Sequence, residues 1–403
     1  MHTSIKFNVD ESLESFLLRL SQDQGYERFS HFAQDGLIDT LEEYEVTAGA
    51  FPFELDRVNI YHAHVTSQMR ARVFTHLERM FELGNIGLLR FALSHSKAHF
   101  SPQFKAIHRF GSDYPFVFLR KRFTPICPHC LREDSYIRQN WHFIPNQVCE
   151  RHGCVLVHHC PECQSRLEYQ KSECISHCEC GFDLRHATAK CASEPELLIA
   201  SWLSGDKKVT LGRLNSEMTR SERYGFLLWY VNRYGDVDNI GFESFVNYCN
   251  EWPQPLFEEL DLLCQRAEVV RVRPWHKMFF NDVFGELLHE CRSLPNRQLG
   301  RNVVLVQVLA YFTQLVSAIP ISSKGEVSDI LLSLFEASTL LSCTTDEIYR
   351  LYEFGEIKAA IRPRIHIKVA DHESIFTLRS VVETKLSRMC SESDGLGLYL
   401  PEW

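Results

Sequence analysis

The chain has 403 residues, a formal net charge of −9 and 45% hydrophobic residues. That is enough apolar material for a packed core, which excludes a disordered chain. The acidic balance argues against a protein that wraps a long nucleic acid unaided. No stretch reaches the roughly 18 apolar residues of a membrane helix. The N-terminus has neither the basic nor the apolar region of a secretory signal, so a cytoplasmic protein is expected. Fifteen cysteines in a reducing compartment point to metal rather than to disulfides.

Residues 1–115 read as an N-terminal helical unit. Leu13, Phe16, Leu17 and Leu20 fall at helical spacing, and Asn8 and Glu11 have capping-box spacing before them. Residues 1–60 carry twelve Asp and Glu against four Lys and Arg, so this part is ill suited to phosphates. Further helical periodicity runs over 69–83 and 86–93. His95 and His99 are four apart, and one helix face is expected to carry both as ordinary surface or core side chains. FGSDYP (110–115) carries turn signals.

Residues 116–192 hold the cysteines. Cys127-Pro-His-Cys130 opens one metal site and Cys149-Glu-Arg-His152 closes it. Cys160-Pro-Glu-Cys163 opens a second, and Cys178-Glu-Cys180-Gly closes it. Each set supplies four protein ligands, which fills a tetrahedral zinc and leaves no position for a catalytic water. Two structural Zn²⁺ are therefore expected, with their binding energy serving as folding energy. Cys174 is an alternative to Cys178, and His129 and His177 are possible intruders. Cys154, His158, His159 and Cys191 have no partner at ligand spacing and are read as ordinary neighbours. The basic run Arg120-Lys121-Arg122 is read as a solvated face.

Residues 193–325 read as helices again: ELLIASWL, SERYGFLLWYVNRY, FESFVNYCNEW, FNDVFGELLHEC and NVVLVQVLAYFTQLVSAI. A break at 320–326 leads to a last unit, 326–403. There EASTLLSCTTDEIYRLYEFGEI (336–357) fits two helices about a short turn, a helix-turn-helix-like arrangement. Thr344 and Glu347 cap the second helix, Ile348, Leu351 and Tyr352 form its buried face, and Gly355 stops it. Its outer face is expected to show Asp346, Glu347, Tyr349, Arg350 and Glu353, which favours protein docking over DNA reading. The stretch 361–368, with Arg362, Arg364, His366 and Lys368, resembles a basic β wing or a charge-protected edge strand.

DESLESFLLRLSQDQGY, CPHC followed by YIRQNWHF, CERHGCVL, CPECQSRL and CECG together resemble the TnsD/TniQ family of transposon target-selection proteins. The chain looks most like the short TniQ of type I-F CRISPR-associated transposons. The CxC of the second closing knuckle departs from the commoner CxxC. The resemblance implies a mostly α fold with an N-terminal helix-turn-helix-like unit. It implies a dimer riding on the guide-RNA Cascade complex, contact with nucleic acid that is mainly indirect, and recruitment of the AAA+ regulator TnsC. There is no GxxxxGK[ST], HExxH or GxSxG, and no marked carboxylate trio for Mg²⁺. A non-enzymatic adaptor is expected. The alternatives are a TnsD-like protein that binds a fixed attachment sequence, and a metal-dependent nuclease.

Overall fold

The computed structural model describes residues 5–37, 51–63, 66–83, 87–101, 103–214, 216–318, 325–362 and 369–393. About half of the chain is helical, and the described residues form three small antiparallel sheets.

Helix α1 (Leu13–Asp23) starts where Ser12 accepts a hydrogen bond from the Ser15 amide, 3.2 Å away. The cap is thus Ser12, and the expected box at Asn8 and Glu11 lies outside the helix. Glu11 instead receives Ser15 Oγ at 2.9 Å and Arg19 at 2.7 Å. Leu13, Phe16, Leu17 and Leu20 are fully buried, as their spacing requires. Helix α2 (Ser67–Met80) adds Val73, Phe74 and Leu77 to the same core.

The stretch after residue 93 is a sheet, where the expectation was helix. Strands β1 (Ser94–Ser101), β2 (Phe104–Arg109) and β3 (Ser112–Pro115) pair in sequence order. The β2–β3 turn is Phe110-Gly111, with φ of 52° and 75°, the two left-handed residues of a tight hairpin. His95 and His99 lie on β1 opposite Ile107 and Lys105, with a register irregularity between them. They are strand residues, not a helical pair.

The metal-ligand region follows with α3 (Pro128–Glu133), β4 (Val148–Cys149) and β5 (Cys154–Val155). Its apolar residues Ile126, Leu131, Ile137, Trp141, Leu156, Leu167, Tyr169 and Leu184 pack with those of α1 and α2 in one core. Ser12 Oγ, Tyr169 Oη and His142 Nε2 form a buried chain of contacts at 3.2 and 3.1 Å that ties the α1 cap to both cysteine segments.

The second core holds the three-stranded sheet and the helices α4 (Glu194–Leu203), α5 (Arg220–Tyr234), α6 (Phe242–Glu251), α7 (Gln254–Val270), α8 (Phe280–Phe284), α9 (Leu287–Cys291) and α10 (Val303–Ala318). FNDVFGELLHEC is two short helices, because Gly285 adopts φ 57° and breaks the ladder between α8 and α9. Helix α5 is the hub. Arg223, with no solvent exposure, donates to the carbonyls of Met218, Trp202, Asp206 and Ser216.

The C-terminal unit pairs β6 (Leu331–Ser333) with β7 (Ser374–Thr377) around α11 (Leu334–Leu341), α12 (Thr345–Glu353) and α13 (Leu378–Ser393). The Thr344–Glu347 capping box is present, and Ile348 and Leu351 are buried. Tyr352 is half-buried. Glu347 is 7% exposed, with its carboxylate receiving the Thr344 amide at 2.9 Å, so it does not belong to the outer face. Asp346, Arg350 and Glu353 do, with Tyr349 half-exposed. Residues 363–368 of the expected basic wing lie outside the described residues.

Candidate metal centres and the cleft beside them

Cys127 precedes α3, Pro128 fills the first helical position, and Cys127 Sγ accepts from the Cys130 amide at 3.5 Å. This local turn points both thiols to one place. The other two ligands come from the β4–β5 hairpin. Gly153, at φ 60°, closes it with an amide bond to the Cys149 carbonyl of 2.8 Å and leaves His152 on the turn. Cys130 Sγ lies 3.5 Å from Cys149 Sγ and 3.4 Å from His152 Nδ1. His152 Nδ1 is 3.6 Å from Cys127 Sγ and 3.5 Å from Cys149 Sγ. Four sulfurs at the usual Zn–S length would sit about 3.8 Å apart, so these edges fit a tetrahedral ion. The other ring nitrogen of His152 meets Glu133 Oε1 at 3.0 Å, the outer partner that fixes a ligating imidazole.

The second set folds by similar turns. The Gln164 amide bonds the Cys160 carbonyl at 2.9 Å, and Gly181, at φ 87°, returns its amide to the Cys178 carbonyl at 2.9 Å. Cys160 and Cys180 sulfurs are 3.6 Å apart, as are those of Cys163 and Cys178. The tight turn after Cys180 lets a CxC knuckle converge. In each set the four ligand atoms lie within 4.8 Å of one another.

The eight residues expected as ligands are therefore brought together in two groups of four, and Cys174, His129 and His177 fall outside both. The donor chemistry fits a thiophilic cation. In the first group, contacts with Cys130 and Cys149 pull the Cys127 thiol down to about 3, while contacts with Cys127 and Cys149 push Cys130 up. Crowded thiols of this kind cannot all ionise without a positive charge among them. The two groups differ in access: Cys127, Cys130 and Cys149 are buried, whereas Cys163 and Cys180 are exposed.

Cys154, expected as an ordinary neighbour, lies outside both groups but close to the first. Cys154 sits opposite Cys149 in the β4–β5 ladder, and its Sγ is 3.6 Å from Cys127 Sγ. Directly opposed residues share a face of an antiparallel pair, so the hairpin CERHGC carried that signal.

Beside the first group lies a cleft of about 420 Å³ between the N-terminal segment, β2, the 138–151 loop and α5. Arg109, Arg138, Arg151 and Arg220 face it with Asp10 and Glu150.

A search of curated proteins found no match to the chain. A protein-family comparison does: residues 3–156 match the TniQ model, a span that takes in α1, the sheet and the whole first ligand group and ends before Cys160. On that match, residues 3–156 of the chain are similar to a TniQ domain.

Proposed function

We propose that the protein is a non-enzymatic target-selection adaptor of a transposon, built around two structural zinc ions. It docks as a homodimer on a guide-RNA Cascade complex and recruits the AAA+ regulator TnsC. The observation that carries this reading is the TniQ match over 3–156 with a closed four-ligand set inside it. The chemistry assigned to the metal is structural. Three thiolates and an imidazole on one ion, and four thiolates on the other, offer every tetrahedral position to the protein. When bound, zinc supplies only cross-linking of the turns that carry the ligands. Adaptor function then rests on surfaces. The net charge of −9 gives the chain no overall electrostatic drive onto a phosphate backbone, so its contact with nucleic acid is mainly indirect, through its partners.

The test is co-purification. Tagged protein expressed with a type I-F Cascade and TnsC is expected to bring down both, and light scattering of the free protein is expected to give a dimer. Failure to capture Cascade, together with tight sequence-specific binding to duplex DNA, would replace this reading with the TnsD-like one. Divalent-metal-dependent DNA cleavage would replace it with the nuclease.

A further inference from the structure

The cleft beside the first ligand group contains polar atoms that the fold leaves unused. Arg138, Gln139 and Asn140 are consecutive and all line it. Arg138 Nε, both amide atoms of Gln139 and Asn140 Oδ1 are buried without a hydrogen-bond partner. Gln139 is only 3% exposed and Arg138 8%. Buried polar atoms are nearly always paired, and four in three successive residues mark a place where something else supplies the partners. The cleft volume lies within the range of small-ligand sites.

The unpaired atoms define the ligand. Two are donors, Arg138 Nε–H and the Gln139 amine, and two are acceptors, Gln139 Oε1 and Asn140 Oδ1. A bare phosphate or carboxylate offers acceptors only and leaves both oxygens unmet. An extended peptide offers the N–H and C=O of one residue along one edge, but it brings a single N–H to the two free oxygens. A nucleobase edge sets a donor and an acceptor side by side in one plane, the pairing that a glutamine makes with adenine. An exocyclic amine also brings two N–H groups to the two free oxygens. Arg138 is paired with Asp10 and Arg151 lies 3.5 Å from Glu133, yet four guanidiniums against Asp10 and Glu150 in the lining still favour an anion, and guanidinium geometry suits phosphate. Arg220 is held by the Ser204 carbonyl and by Tyr114 Oη at 3.2 Å, and Arg151 is the more exposed of the four, with 57% of its side chain open.

We propose that this cleft binds a nucleotide with an amino-bearing base. The base edge meets Gln139 and Asn140, and the phosphate lies toward Arg151 and Arg220. A free nucleotide and an unstacked or terminal nucleotide of a strand share this chemistry.

The zinc-loaded full chain is titrated calorimetrically with AMP, CMP, GMP and UMP, and with a short single-stranded adenine oligonucleotide. AMP is expected to bind, with UMP about tenfold weaker. Gln139→Leu is expected to weaken AMP binding by about tenfold with zinc content and melting temperature retained. Because Gln139 is buried, Arg151→Ala serves as the second variant. It is expected to weaken AMP binding and flatten its salt dependence while leaving adenosine binding unchanged. Tighter binding of the oligonucleotide than of AMP assigns the site to a strand, and equal or weaker binding assigns it to the free nucleotide. Absence of binding at millimolar nucleotide and oligonucleotide overturns the proposal. So does AMP binding that neither variant changes, or an acidic peptide that binds the cleft where nucleotides do not.

Discussion

Glu14 is the most exacting test of how the first core is assembled. It sits on α1 with 2% exposure, and its Oε1 accepts from Asn59 Nδ2 at 2.7 Å and Gln170 Nε2 at 3.0 Å. Oε2 is buried without a partner. Burial raises this carboxyl from 4.5 to about 7, outweighing the hydrogen bonds and the pull of Arg109. A carboxyl whose folded value is raised binds its proton more tightly in the native state. Below pH 4.5 both states hold the proton and nothing is lost. As pH climbs toward 7 the unfolded chain releases it while the fold does not, and stability falls; above 7 the full cost is in place. The shift corresponds to about 3 kcal/mol. Glu14→Gln keeps the Oε1 acceptor and removes the charge. The variant is therefore expected to gain stability over the parent between pH 4.5 and 7, reaching about 3 kcal/mol, with no gain near pH 4. Urea unfolding of both proteins across this range, with zinc held in excess, measures the difference directly. His142, buried beside Tyr169 and held down to about 3, titrates in both proteins and cancels in the subtraction. A difference flat with pH, or a variant less stable at pH 8 than at pH 5 relative to the parent, would refute the placement of an uncompensated carboxyl here.

Elemental analysis is expected to give two zinc ions per chain, and Cys130→Ser is expected to lose one and to melt the core around Trp141. Titration with a chelator is expected to strip the group with exposed Cys163 and Cys180 first, read as biphasic metal release; a single phase would count against two separate sites. The isolated protein is expected to bind duplex DNA weakly, with affinity lost steeply as salt rises, and nanomolar sequence-specific binding at physiological salt would contradict the adaptor reading. Charge reversal at Asp346 and Glu353 together is expected to weaken dimerisation or Cascade docking with zinc retained. The same change at Glu347 is expected to cost about 1 kcal/mol of stability instead, because it removes the carboxylate half of the α12 capping box.

The ligand groups were legible because a metal site writes itself into spacing: two short knuckles and the loop between them survive without knowledge of the fold. The buried face of α1 was legible for a similar reason, a period of 3.6 with every apolar position used. The three-stranded sheet was not. SHSKAHFS offers little apolar alternation, and the register irregularity between His95 and His99 spoils what there is. Helix α7 went unnoticed because only Leu256 and Leu260 are buried along its length, and it ends in exposed Val269 and Val270. Glu347 looked solvent-facing from helical periodicity, yet a capping carboxylate folds back onto its own helix end. Gln139 belongs to no motif, and what sets it apart is a missing partner, which only coordinates reveal.

The chain of contacts from Ser12 through Tyr169 to His142 has a consequence for synthesis. Its first and second members are 157 residues apart. When α1 leaves the ribosome, the surfaces that bury Leu13, Phe16 and Leu17 have not been made. At ordinary elongation rates the wait is on the order of ten seconds. Through that interval an amphipathic helix and an acidic segment must stay soluble alone, and the negative charge of residues 1–60 suits them to it. The first core can close only after both cysteine segments have emerged, so burial of the N-terminal helix and convergence of the two Cys/His groups become one late event in the birth of the protein.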